Sequence, residues 1–492
     1  MFGISWSFSL QLAALQRISG FVETDDGLWA VSDPTSQMAQ FDTGTAQPGP
    51  GPATELLVSG SLPLLLDPVF SSGGGLDFVF ATDRIDGQLV AATILPGATS
   101  ITLQPVDITN AAGFGFERIA GVETPVSDAV RLAATSSDGA LSVIDFDPAS
   151  GDATILDQIF ESEKAGLDSV SDIATVDIGG QTLVLTTSSG DTGLTSFALD
   201  DAGQIELIDT LGMHDGLWAN GLDAVATANS GGTTFALASS AASGMIFSVR
   251  VNPIGALFLA DSVTDDRFTR FDAADALESF EHMGRTFVLS GGGDDGLTLF
   301  ELAPDGRLDV LTSVEQTMNW AIGNIDAIHV EVGSGSARAF VSGESSPLVA
   351  VLDIPMDDLG PLVMGTGAAD TLTGTSADDL LFGGAGNDSL YGADGDDRLM
   401  DGAGSDVLTG GVGADMFICA SDGAPDQIAD FEKGTDRIDL RHWGRIYDHS
   451  ALDIQQVPQG ATISFGNETL TIATSAGGPI DTGSWGNDDF IF

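Results

Sequence analysis

From Gly365 the chain runs through six consecutive nine-residue units: GTGAADTLT, GTSADDLLF, GGAGNDSLY, GADGDDRLM, DGAGSDVLT and GGVGADMFI. The sixth position is always aspartate (Asp370, Asp379, Asp388, Asp397, Asp406 and Asp415). The eighth is always large and apolar (Leu372, Leu381, Leu390, Leu399, Leu408 and Phe417), and the fourth is only glycine or alanine. A helix does not tolerate glycine at this density, and a flexible linker has no need of an apolar residue in fixed phase. The period predicts short strands joined by tight turns, stacked so that the eighth positions share one thin core. Two units complete one coil of a parallel β-roll over 359–418. Aspartates therefore align at every second unit, Asp370 with Asp388 and Asp406, and Asp379 with Asp397 and Asp415.

The nonad is a known calcium-binding signature, and its chemistry is consistent with that ion. Calcium takes roughly six to eight oxygen ligands, which carboxylates and inward-turned carbonyls of neighbouring turns can supply. The expected metal set is the six aspartates with the turn glycines Gly384, Gly386, Gly395, Gly402, Gly404, Gly411 and Gly413. Two stacks of three turns leave room for up to four sites between turns. The first two units lack the second- and fourth-position glycines, so sites using their backbone are the weakest expectation. Without the ion adjacent aspartates repel, which couples binding to folding.

Residues 1–358 carry a longer period. Short strands follow a turn at Gly87, Gly139, Gly193, Gly244 and Gly296, at spacings of 52, 54, 51 and 52. Extending this rhythm in both directions, to Ser36 and to Pro347, gives seven repeats. Each is preceded by an apolar strand, such as Val130-Arg-Leu-Ala or Phe287-Val-Leu. Several short strands per repeat of about fifty residues predict an all-β, seven-bladed β-propeller, with an array of β-sandwiches as the rival. The seventh repeat stops near Asp353, too early for an outer strand. The alternating segment Ile4–Leu10 can fill that place and close the ring. In blade length and strand-turn-glycine rhythm the segment resembles lactonase-type propellers, a resemblance of architecture that carries no catalytic residues with it. The remaining 419–492 reads as a short β-rich cap.

One register recurs at the start of the first strand of each repeat: Arg17, Asp67, Arg118, Asp172, Asp223, Asp275 and Asp326. In a propeller these positions ring one mouth of the central channel. They form either a polar funnel able to hold an anion or a cation, or a set of turn caps.

The charge balance is extreme, with 72 acidic against 16 basic residues and a net charge of −56. Such a field repels nucleic acid and anionic membranes and attracts cations. The single cysteine, Cys419, excludes an intrachain disulfide and reads as a small buried residue. No apolar run approaches a membrane span. The start, Met1–Leu10, lacks the basic region and unbroken apolar core of an N-terminal export signal.

The nonads resemble the RTX, or hemolysin-type, family. The likeness continues into Asp426-Gln-Ile-Ala-Asp430-Phe431 and Gly434-Thr-Asp436-Arg-Ile-Asp439-Leu440, and into the ending Asp488-Asp489-Phe490-Ile491-Phe492. The resemblance implies Ca2+ as cofactor and the type I secretion machinery of a Gram-negative cell as partner. It also implies an extracellular location and folding outside the cell. No His-Glu-x-x-His motif supports a zinc protease and no Gly-x-Ser-x-Gly elbow is present. The five histidines (His214, His282, His329, His442 and His449) have no ligand spacing. Two readings of the propeller stay open. One is a binding module for an extracellular ligand or surface. The other is a secreted hydrolase of lactones or phosphodiesters working in a carboxylate-lined channel.

Overall fold

The computed structural model describes the strands between residues 5 and 94 and most of the chain from residue 104 onward. The later exceptions are 110–114, 123–129, 163–164, 191–192, 267–268, 294–295, 316–323, 344–345, 476, 482 and 484. The chain divides into two compact units, 1–280 with 286–355, and 281–285 with 356–492.

In the first unit the described residues form seven separate sheets, six of four strands and one of five, mostly antiparallel, with Asp107–Thr109 joining Asp152–Phe160 in parallel. Within most sheets the strands follow chain order, as in Val170–Ile178, Gln181–Ser188, Gly193–Leu199 and Ile205–Gly212. First strands of successive sheets lie side by side, from Ile325–Val332 through Gly20–Thr24, Leu65–Gly73, Phe116–Val122 and Val170–Ile178 to Ala224–Ser230. This is a β-propeller and not a sandwich array. The strand Ser5–Gln11 pairs antiparallel with Ser346–Pro355, setting Ser5 opposite Asp353 and Leu10 opposite Val349.

Burial explains the strand sequences. Middle strands such as Val130–Ser136, Arg285–Gly291 and Gly296–Leu302 are buried at every residue, because each sheet has a neighbour on both faces. The outer strand Leu257–Thr264 instead alternates exposed positions with half-buried ones after a buried Leu257. The apolar clusters accordingly lie between sheets. One joins Leu183, Leu194 and Leu217 to Ala236, Phe247 and Val249 of the next sheet.

Adjacent sheets are also stapled by aspartates. Asp157 Oδ1 accepts its neighbour Gln158 N–H, and Oδ2 accepts Ile205 N–H at the start of the next outer strand, 3.0 Å away. Asp209 does the same with Thr210 and Leu257, and Asp261 with Ser262 and Leu308. The three are 52 residues apart, one per repeat.

The second unit is a parallel roll of two sheets. One runs Leu359–Met364, Asp378–Phe382, Arg398–Met400, Met416–Ile418, Arg437–Asp439 and Phe490–Ile491. The other begins Thr371–Thr373, Ser389–Asp394, Val407–Val412 and Pro425–Phe431 before turning antiparallel. Leu372, Leu381, Leu390, Leu399, Leu408 and Phe417 form one buried column. Parallel stacking continues past Ile418 through Ile428 and Ile438, which join the same core. Cys419 is fully buried there.

Candidate metal centre

Each sixth-position aspartate is tied through its backbone to the aspartate one coil later. Asp370 N–H donates to Asp388 Oδ1 at 2.8 Å, and Asp388 N–H to Asp406 Oδ1 at 2.6 Å. In the other stack Asp379 N–H donates to Asp397 Oδ1 at 2.8 Å, and Asp397 N–H to Asp415 Oδ1 at 3.0 Å. The ladders run past the nonads. Asp406 N–H donates to Asp426 Oδ1 at 3.0 Å, and Asp415 N–H to Asp436 Oδ1 at 3.1 Å. Sequence reasoning did not place Asp426 and Asp436 in the metal set. The available signal was the aspartate–x–isoleucine pattern at Asp426 and Ile428 and at Asp436 and Ile438, which repeats the offset of Asp388 and Leu390.

The ladder engages Oδ1 and leaves Oδ2 for something else. Asp388, Asp397 and Asp406 are almost fully buried, and the Oδ2 of each has no hydrogen-bond partner. The first two turns differ. Thr366 N–H and Oγ1 both donate to Asp370 Oδ2 at 2.7 Å, while Thr375 N–H and Oγ1 reach the Asp379 carboxylate. Threonine at the second position thus occupies the oxygen that the glycine-containing turns leave open.

The glycines serve a steric purpose. Gly402 and Gly411 have φ of 90° and 110°, and a Cβ there would lie 2.0 and 1.9 Å from the carbonyl oxygens of Gly384 and Ala393 one coil earlier. Fourth-position Gly404 and Gly413 would put a Cβ 1.5 and 1.9 Å from the carbonyls of Gly386 and Gly395. Gly384, Gly386 and Gly395 likewise have positive φ and sit against carbonyls of the preceding coil. Of the second positions without glycine, only Ala393 has positive φ, at 95°. Among the described residues no three His, Cys, Asp or Glu side chains converge on one point. A cation between these turns would draw on the aspartate carboxylates and the turn carbonyls, the donor set of a hard ion such as calcium.

A model of the RTX calcium-binding nonapeptide repeat, in four copies, matches residues 364–399 and 391–418. Residues 364–418 are RTX calcium-binding repeats. Among curated protein sequences none is significantly similar to the chain. Solved structures similar to it include Saccharomyces cerevisiae Sqt1, at 10% identity, over 72% of this chain and 100% of that one, with a TM-score of 0.48. The Dos1 propeller is similar at 9% identity over 66% of this chain and 75% of that one, TM-score 0.43. Chaetomium thermophilum Raptor is similar at 11% identity over 71% and 29%, TM-score 0.47.

The RTX repeats bind Ca2+, and the electrostatics of the turns show what the ion relieves. Burial pushes Asp397 up to about 7, against the Asp379 N–H bond, with the Asp379, Asp378 and Asp396 charges adding. Burial likewise takes Asp415 and Asp426 to about 7 and Asp406 and Asp436 to about 6, each with neighbouring carboxylates contributing. A divalent ion held by the open Oδ2 atoms would replace this repulsion with attraction. Burial, then the charges of Asp401, Asp426 and Asp439, also pushes the Cys419 thiol far up, so it stays protonated.

In the propeller, Arg118, Asp223 and Asp275 line one cavity of about 430 Å3 together with Glu117, Asp168 and several serines. Backbone bulges at the starts of the first strands place Arg118, Asp172 and Asp326. Asp172 is not among the residues lining that cavity. Its carboxylate accepts Ile173 N–H and, from the next sheet, Val225 N–H, both at 2.8 Å. Burial raises its pKa, opposed by the Val225 bond and the Arg118 charge. Asp223 Oδ2 accepts Ala241 N–H at 2.7 Å. Arg17 and the side chain of Asp67 lie outside the described residues.

Proposed function

We propose that this chain is an exported protein whose roll folds when it meets extracellular calcium and so displays the propeller as an interaction module. The observation that carries the reading is the set of buried, unpartnered Oδ2 atoms on Asp388, Asp397 and Asp406. Unpaired buried carboxylates are costly, and a cation shared between turns removes the cost. Export by a type I system, with the signal in the final residues, is the route that RTX repeats suggest.

Two measurements test the reading. Limited proteolysis of the full chain should cut within 359–492 in chelator and spare that region in calcium. Equal protection in both conditions would sink calcium-dependent folding. Co-expression with a type I transporter should export the full chain and retain one lacking Asn487–Phe492; unimpaired export of the shortened chain refutes the C-terminal signal.

Among the described residues, the cavity at Arg118, Asp223 and Asp275 offers a polar lining for a small ligand. A guanidinium beside several carboxylates suits a ligand carrying both hydroxyl groups and a charge. Turnover of a lactone or phosphodiester panel that is lost on replacing Asp223 and Asp275 would favour the hydrolase reading over simple binding.

A further inference from the structure

Five of the six nonads begin with glycine (Gly365, Gly374, Gly383, Gly392 and Gly410), and the fifth nonad begins with Asp401. The glycines show what this position faces. A Cβ on Gly374, Gly383, Gly392 or Gly410 would lie 2.5, 2.9, 2.2 or 2.2 Å from Oδ2 of the sixth-position aspartate of its own turn. The first position therefore looks onto the oxygen that the ladder leaves open.

Asp401 puts a second carboxylate at that place. It is 1% exposed. Its Oδ1 is fixed by Gly402 N–H at 2.7 Å and Ala420 N–H at 2.8 Å. Its Oδ2 meets no donor beyond the weak Cys419 thiol that contacts the carboxyl, and Oδ2 of Asp406 in the same turn has no partner. A side chain serving only to cap the backbone would not leave a buried oxygen bare beside another, since each unpaired buried oxygen is unfavourable.

We propose that Asp401 Oδ2 is an additional ligand of the calcium ion held by Asp406, giving this turn two carboxylates from one nonad. The inference rests on the calcium reading of the roll. Affinity for calcium rises with the number of charged ligands. This turn is then the tightest site of the array and the first to load.

Isothermal titration of the full chain with calcium chloride, with Tb3+ as a luminescent second probe, tests it. The variants are D401G, which restores the residue of the other five nonads, and D401N, which keeps the Oδ1 acceptor and removes the charge. Both should lose the tightest binding event, by about tenfold or more in affinity, and keep the weaker ones. Wild-type titration curves for D401G would overturn the assignment while leaving the roll's calcium binding intact. A wild-type curve for D401N alone would show that the carboxyl is a protonated core group, which also overturns it. Absence of binding by the wild-type protein would instead refute the calcium reading beneath it.

Discussion

Asp406 Oδ1 accepts the backbone N–H of Asp388 at 2.6 Å, so the carboxylate whose other oxygen would meet a cation also clamps the preceding coil. Metal ligation there would make ion binding and backbone register one interaction. Loss of the ion leaves carboxylates crowded with no counter-charge, and loss of a carboxylate removes a clamp.

Ladder position sets the cost of losing a carboxylate. D397N and D406N should each weaken calcium binding by about thirtyfold, on the order of 2 kcal/mol. D370N should cost much less, because Asp370 Oδ2 is already engaged by Thr366. Calorimetric titration of the three variants checks the order, and equal losses would contradict the threonine cap.

Acidity should substitute for calcium. Burial holds Asp397 and Asp415 up at about 7 in the folded, ion-free roll, well above the ordinary carboxylate range. A folded pKa raised above the unfolded one gives stability that is full below the unfolded value and lost as pH rises through the folded one. In chelator, the roll should resist urea better near pH 5 than at pH 8. Saturating calcium should remove or reverse that difference. Urea melts at the two pH values, with and without chelator, measure it.

Ala393 holds φ 95°, where a Cβ is unfavourable and where Gly384, Gly402 and Gly411 stand in other units. Ala393→Gly should stabilise the calcium-loaded roll by about 1 kcal/mol, the relief of left-handed strain exceeding the entropy that glycine adds to the unfolded chain. Denaturant melts in excess calcium would show it; destabilisation would mean that the Cβ makes a contact worth more than the strain.

Each inter-sheet staple should matter alike. Asp209→Ala leaves Thr210 and Leu257 N–H groups without their acceptor and should destabilise the propeller by about 1–2 kcal/mol. Asp157→Ala and Asp261→Ala should fall in the same range. Thermal melts that leave all three unchanged would show that water takes the acceptor role.

The roll was legible because its period is short and strict: nine residues fix which side chain faces the core, and Asp388 and Leu390 follow directly. Legibility failed where spacing broke. Asp426 follows Asp406 by 20 residues and Asp436 follows Asp415 by 21, so both dropped out of the phase that marked the nonads. Asp401 was hidden for the opposite reason, since it stands in phase but in a glycine's place. In the propeller the fifty-residue rhythm marked the strands. It could not separate channel residues from caps, because Asp172 and Asp223 share a register while Asp172 bonds across to Val225 and Asp223 bonds within its sheet to Ala241. The staple at Asp157, Asp209 and Asp261 was in view as a 52-residue spacing, but aspartate is so abundant here that no single position stood out.

The pairing of Ser5–Gln11 with Ser346–Pro355 has a kinetic side. Ser5 meets Asp353 across nearly the whole propeller sequence, so ring closure carries the entropy of an exceptionally long loop and cannot precede the sheets between them. Closure is then a late event in propeller folding. A chain caught before it would expose the unpaired edge of Ser346–Pro355, and that is the species most open to domain swapping between two copies.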